Sequence, residues 1–388
     1  MRRKSIALTL AVIMLAVLSF PTIASGNQGL VRKIVVFNKA VNEPARDALI
    51  KKFGGVKVKD LNLIEGKAVL LPPKAVVALK KEPGVLRVDD DIVFYATGKR
   101  IAAGKKAPTQ PPESLQWGVD RIDADLAWAT STAAGVKVAI LDTGIDLDHP
   151  DLGANVKGGI NTINPRKKPD DDNGHGSHVA GVVAAVRGNG IGVIGVGPNA
   201  SLYAVKVLGA SGSGYASDVI EGLDWCIQNG IKVVNMSFGA SSDNQSIHDA
   251  VIRAYNAGII MVAAAGNSGP GSDTVSYPAR YNEVIAVAAT DSNDAVAPWS
   301  SRGPEVDIAA PGVNIYSTYK NAGYATMSGT SMAAPHVTGA IALKLQVNPL
   351  LSPDATRSLV MGTAEPILGV PEEVGAGLID AEALVNAQ

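Results

Sequence analysis

The chain has 388 residues, 46% of them hydrophobic and only 5% aromatic, with 41 glycines, one cysteine and a formal net charge of −1. That near-neutral total hides an asymmetry: residues 27–98 carry 13 Lys+Arg against 8 Asp+Glu, and residues 107–388 carry 15 against 28. The length allows more than one domain, the lone Cys226 excludes an intrachain disulfide, Cys/His spacing offers no zinc site, and the small basic part lacks the interleaved aromatics of a nucleic-acid binder.

In chain order, Met1-Arg2-Arg3-Lys4, the apolar run Ile6–Phe20 and Pro21–Ser25 have the three parts of a secretory signal peptide over 1–25. The run is short for a membrane span, which points to cleavage near Ala24–Gly26 and a secreted, extracellular product with no membrane attachment. Residues 26–98 read as a compact unit. A strand at 33–37 is followed by an amphipathic helix at 43–53 closed by Gly54-Gly55, and strands at 56–64 and 67–71 meet across Glu65-Gly66. A helix at 73–82 is stopped by Pro83-Gly84, and a last strand covers 85–95. This βαββαβ order is the ferredoxin-like split motif. Residues 99–112, basic and then proline-rich, read as an exposed linker and a natural place for processing.

From 113 to 388 strands and helices alternate. Strands are expected at 136–141, 202–208, 232–236, 259–265 and 284–289, and helices near 178–186, 216–229, 245–257 and 331–346. Such alternation predicts an α/β fold, a mainly parallel sheet with helices on both faces.

Three segments in this part carry chemistry. The apolar run Val136–Leu141 ends on Asp142 and a Thr-Gly turn, which puts a carboxylate where open α/β sheets build sites. His175 precedes a run of small helical residues in Asn173-Gly174-His175-Gly176-Ser177-His178. Ser331, in Gly329-Thr330-Ser331-Met332-Ala333, opens an apolar helix whose unpaired N–H groups face any oxyanion formed there. Each has a plain alternative: a turn aspartate, a loop or capping histidine, a helix-capping serine. Together they give an Asp, His, Ser order suited to nucleophilic catalysis, with His178, one helical turn on, as a rival base.

With these motifs, and with stretches between them such as Ser201–Gly209, the chain resembles the subtilisin-like serine proteases (subtilases) over roughly 113–388. The 26–98 unit, including Val88-Asp89-Asp90-Asp91, resembles their inhibitory propeptide. The resemblance implies a serine endopeptidase acting on protein and peptide substrates through an acyl-enzyme, made as an autoinhibited monomeric precursor. Its own propeptide would serve as intramolecular chaperone and inhibitor, docked by opposite charge with Tyr95-Ala96 near the active site. Asp142, His175 and Ser331 would be the triad, and Asn267 the side-chain donor to the oxyanion. Ser211, Gly212, Ser213 and Gly214, with Ser237, Phe238 and Gly239, are backbone-rich segments suited to pairing with an extended peptide, and the resemblance places them beside the substrate. Ala264, Gly266 and the segment from Ser276 to Ala279 would shape a pocket without buried charge for an apolar or aromatic P1 side chain, which Ser276 and Ala279 could narrow. Calcium is the implied cofactor, held by Glu113, Asp151 and Asn189 and by carbonyls of Val186, Ile191 and Val193. Asp170-Asp171-Asp172 is either another oxygen cluster for an ion or a solvated acidic loop. A non-enzymatic protein on the same scaffold and a single-target maturation protease are the competing readings.

Overall fold

The computed structural model describes residues 29–103 and 110–388; the expected leader over 1–25 and the middle of the linker lie outside the described residues. The N-terminal unit runs β1 (Val31–Phe37), α1 (Glu43–Lys52), β2 (Val56–Leu61), β3 (Gly66–Leu71), α2 (Pro73–Leu79) and β4 (Val85–Asp90). Its strands form one antiparallel sheet in the order β2-β3-β1-β4. Alternation along β1 divides its side chains between two cores. Val35 and Phe37 pack with Ile50, Leu71 and Leu79 beneath the unit's own helices, while Ile34 and Val36 join a core of the larger domain.

The single strand expected over 85–95 is in fact two. At Asp91 the carboxylate accepts from the Ser217 N–H and Oγ, both at 2.8 Å, and pairs with Arg32. These bonds turn the chain out of its own sheet, and β5 (Val93–Ala96) pairs with the larger domain instead. The linker is likewise not all loop, because β6 (Lys99–Ala103) lies within it.

The larger domain continues with α3 (Trp117–Arg121), α4 (Ala124–Ala127), β7 (Lys137–Asp142), β8 (Val156–Asn161), α5 (His175–Ala184), β9 (Ser201–Lys206), β10 (Ser213–Tyr215) and α6 (Ala216–Gln228). Then come β11 (Val233–Met236), β12 (Phe238–Gly239), α7 (Gln245–Asn256), β13 (Ile260–Ala264), β14 (Val284–Thr290), β15 (Val306–Pro311), β16 (Ile315–Tyr319) and β17 (Gly323–Ser328). The chain closes with α8 (Thr330–Val347), α9 (Pro353–Gly362), α10 (Pro371–Val374) and α11 (Ala381–Asn386).

Seven strands form a parallel sheet in the order β15-β14-β13-β11-β7-β9-β8. Both faces are covered, which is why its strands read as unbroken apolar runs. Val138 and Ile140 of β7 face a core shared with Val179 and Val183 of α5 and Val337 and Ile341 of α8. Ala139 and Leu141 face the opposite core with Ile220 and Leu223 of α6 and Val251 of α7. Helix α5 begins at His175 itself rather than after it. Among the described residues, no helix is long and apolar enough to cross a membrane.

Candidate active site

The parallel sheet brings three distant side chains to its C-terminal edge. Asp142 is the last residue of β7, His175 the first of α5, and Ser331 the second of α8, and all three are buried. His175 Nδ1 lies 2.8 and 2.9 Å from the two carboxylate oxygens of Asp142. Burial works against a charged ring here, but Asp142, and after it Asp171, outweigh burial and hold the His175 pKa above its ordinary value. Gly176 lets the helix come this close, since a Cβ there would sit 3.1 Å from the Asp142 Cβ. His178 is turned away: its Nε2 meets the Ile315 and Ala325 carbonyls, and burial together with nearby His175 pushes its pKa down to about 3.

His175 Nε2 is buried without a hydrogen-bond partner. The Ser331 hydroxyl donates to the Ser237 carbonyl at 2.9 Å and lies 2.6 Å from Thr97 Oγ1. Between serine and histidine runs the chain itself. The Thr97 carbonyl accepts from Asn267 Nδ2, and a Cβ added to Gly98 would lie 2.9 Å from His175 Nε2. The Asn267 amide is fixed in this sense because its Oδ1 accepts from Thr330 N and Thr330 Oγ1, both at 3.0 Å. The peptide bond Thr97–Gly98 therefore lies against the hydroxyl, the imidazole and the amide donor together.

The residues before Thr97 are gripped as an added strand, with β5 between β10 and β12. Ser213 faces Tyr95, Gly214 faces Phe94, Phe238 faces Ala96 and Gly239 faces Tyr95. Ala96 N donates to Gly212 O, and Thr97 N to Ser237 O. Ser211 stands beside this strand, bonded to Ser213. Phe238 meets the buried Phe94 ring edge to face at 5.5 Å, so it walls a site three residues before Thr97. Ala264 is buried at the end of β13. Gly266 and Ser276 line a cleft of about 490 Å3 beside Thr97, and a Cβ on Gly266 would come within 2.9 Å of Ser276 Oγ. The cleft rim also carries the exposed Asp273 and the part-exposed Arg280, paired with each other, and Arg280 bonds Glu305, so the charges beside the pocket reach solvent rather than lying buried in it.

The implied calcium ligands gather in one place. The buried Asp151 carboxylate accepts from Asn189 Nδ2, Val193 N and Tyr324 OH but has no cationic side chain among its partners. Burial pushes its pKa up to about 6. Glu113 Oε2 accepts from the N–H groups of Gly188 and Gly190, in the same loop. The carbonyls of Val186, Ile191 and Val193 accept no backbone hydrogen bond among the described residues. A buried carboxylate with no countercharge, beside free carbonyls, suits a hard cation. The only cluster of three carboxylates with metal-ligand spacing among the described residues is elsewhere, at Glu43, Asp47 and Asp60, and the Lys67 ammonium fills it.

Sequence reasoning named Asp171 and Ser237 but missed that they hold the reactive groups in place. Asp171 accepts from Thr143 Oγ1, Asn173 N, Gly174 N, Ser177 N and Ser177 Oγ, tying the end of β7 to the start of α5. Asp172 pairs with Lys206, so two members of the acidic triplet are engaged by the protein, while the exposed Asp170 carboxylate accepts only from Leu147 N, at 3.3 Å, among the described residues. Ser237 Oγ, which accepts from Asn235, donates to the Ser331 carbonyl and ties β11 to α8. Only the clustering of small polar residues around the motifs hinted at this scaffold.

Residues 133–377 match the family model described as the subtilase family. The chain is 44% identical over 340 residues to an alkaline protease of Alkalihalobacillus alcalophilus, covering 87% of this chain and 84% of the relative. It is 49% identical over 272 residues to Subtilisin Savinase of Lederbergia lenta, covering 70% of this chain and 98% of the relative. To subtilisin amylosacchariticus of Bacillus subtilis subsp. amylosacchariticus it is 39% identical over 368 residues, covering 93% and 92%. A parallel α/β sheet with these residues at its C-terminal edge, and relatives of this kind along most of its length, make the chain a member of the subtilase family of serine endopeptidases.

Proposed function

We propose that this serine endopeptidase is made as a self-blocked precursor whose first substrate is its own Thr97–Gly98 bond. One observation carries this reading: the Thr97 carbonyl accepts from Asn267 while Thr97 Oγ1 touches Ser331 Oγ. Ser331 Oγ attacks the Thr97 carbonyl carbon as His175 Nε2 takes the hydroxyl proton. Asp142 holds the imidazole tautomer and stabilises the imidazolium. Asn267 Nδ2 and the Ser331 N–H, at the helix start, stabilise the oxyanion. Collapse breaks the Thr97–Gly98 bond, and His175 returns the proton to the Gly98 amine. Water then hydrolyses the Thr97 ester with His175 as base. Protein substrates follow the same path, with a preference for apolar or aromatic P1 side chains whose size Ser276 limits.

The N-terminal unit is read as inhibitor and folding template, residues 1–25 as a secretion leader, and the mature enzyme as a monomer. The docking contacts support the first role. Lys59 meets Asp218, Glu221 and the Thr162 carbonyl, and Arg87 meets Asp249. Asp91 accepts from the Ser217 N–H in the first turn of α6, and Asp89 accepts from the Ser246 hydroxyl in the first turn of α7, so the unit sets carboxylates against two helix starts. Glu113, Asp151 and Asn189, with the three free carbonyls, would hold a structural calcium ion that neutralises the buried carboxylate. The test is intact-mass analysis of wild type and Ser331→Ala, with fluorophosphonate labelling of the processed enzyme. Wild type should yield a product beginning at Gly98 and label at Ser331; a Ser331→Ala chain still cut at that bond refutes the reading.

A further inference from the structure

Beyond the reactive bond the chain does not leave the surface. Residues Lys99–Ala103 form β6, antiparallel to β17, with Lys99 opposite Ser328, Arg100 opposite Met327, Ala102 opposite Thr326 and Ala103 opposite Ala325. Strand β17 lies between β16 and β6, so without β6 it presents an open edge. That edge is fixed relative to the reactive groups at both ends. Ser328 precedes Gly329, Thr330 and Ser331 directly. Tyr319, at the other end of the hairpin, donates its hydroxyl to the Asn173 carbonyl at 3.0 Å. Its ring packs on Gly174, the residue before His175, so closely that no Cβ would fit there. The Arg100 guanidinium lies over the same ring, 5.6 Å from its centroid.

We propose that the free edge of β17 is a leaving-side docking strand. It takes the main chain of the second to sixth residues after the cut as an added antiparallel strand, and Tyr319 favours a cationic side chain at the third. This rests on reading Thr97–Gly98 as a substrate bond, since that alone makes β6 a leaving-side segment. Main-chain pairing tolerates any sequence without proline, as a general peptidase requires, and one aromatic plate adds a preference.

The test uses the processed enzyme and peptides with a constant acyl side and one, two, four or six residues after the cut. An Arg100→Pro/Ala102→Pro enzyme is assayed in parallel, because prolines at two register-paired positions, on either side of the bulge at Ile101, strip the enzyme's own segment from the edge. Several new hydrogen bonds, partly offset by ordering the peptide, should raise kcat/KM about tenfold between the shortest and the longest peptide in at least one of the two enzymes. N-methylation of successive leaving-side amides should cost activity at alternate positions. In whichever enzyme shows the length effect, arginine at the third position should be favoured over alanine about threefold, as it should when Tyr319→Phe is added to that enzyme and not when Tyr319→Leu is added. A kcat/KM that stays flat beyond the second residue in both enzymes overturns the docking strand. A length effect without the arginine preference overturns the role of Tyr319. Peptides that are not cut at all, or a Ser331 that does not label, would instead strike the active-site reading on which this rests.

Discussion

Replacing Lys59 by methionine tests the docking of the N-terminal unit in quantity. The change keeps the aliphatic stem and removes the charge. Lys59 Nζ lies 2.5 Å from Asp218 and 2.7 Å from Glu221, with side-chain exposures of 15% for Lys59, 6% for Asp218 and 28% for Glu221. Burial already pushes the Asp218 carboxyl up, and Lys59 is the main opposing influence. Stripping one partner from a fully buried pair costs about 3–5 kcal/mol; with Lys59 and Glu221 partly wetted, about 2 kcal/mol is the reasonable figure. That corresponds to a rise of about 30-fold in the inhibition constant of a 27–97 fragment against the processed enzyme. The sign with pH follows from Asp218. Without Lys59 its pKa in the complex rises further, so the penalty is largest where the carboxylate is ionised and shrinks as the pH falls through that raised value. The assay is inhibition at pH 8 and pH 5, at low and high salt, with Lys74→Met as an exposed control. A change below about threefold at pH 8 and low salt, where the pair should count most, would refute the electrostatic account.

Three further outcomes follow from the site. The rate should rise with pH through a midpoint above 6.5, because Asp142 and Asp171 hold His175 protonated longer than an ordinary histidine and only the neutral ring is a base; a flat kcat/KM between pH 5 and 8 contradicts this. Asp142→Asn should keep the fold but cut kcat by about 10⁴, the cost known for such triad aspartates, measured with a small ester or amide substrate. Chelation of calcium should lower the melting temperature of the processed enzyme by about 5–10 °C, an effect absent in Asp151→Asn.

The catalytic half of the fold was legible because its strands are buried on both faces. Lys137–Asp142 and Val284–Thr290 are apolar at every second position for each of two cores, so they stand out as runs. The hairpin of β16 and β17 was not legible, since part-exposed Tyr316, Tyr319 and Thr326 mix polar and aromatic residues while polar Ser317 and Thr318 are buried. Lys99–Ala103 read as linker because its partner strand lies more than two hundred residues on. The split of the last N-terminal strand depends on Asp91 meeting Ser217, a contact that no local pattern encodes. At the site, residue types and their order pointed to Asp142, His175 and Ser331, and the family resemblance chose His175 over His178, but the physical reason, the Ile315 and Ala325 carbonyls that hold His178 away, was not legible. Asp273 and Arg280 escaped notice because a turn, not a periodic element, brings them to the cleft.

The divided side chains of β1 carry a consequence for the life of the enzyme. Ile34, Val36, Leu61, Ile64 and Ala68 are wrapped only while the small sheet leans on α6 and α7. If the Thr97–Gly98 bond is cut as proposed and the unit released, that sheet would bare an oily flank, and the eight-residue cluster on its other side is a slender means of staying folded. On the proposed reading a loosened unit becomes a substrate of the protease it has left, so each enzyme freed of its inhibitor would hasten the loss of the inhibitor from the others. Activation should therefore begin slowly, gather pace and never reverse.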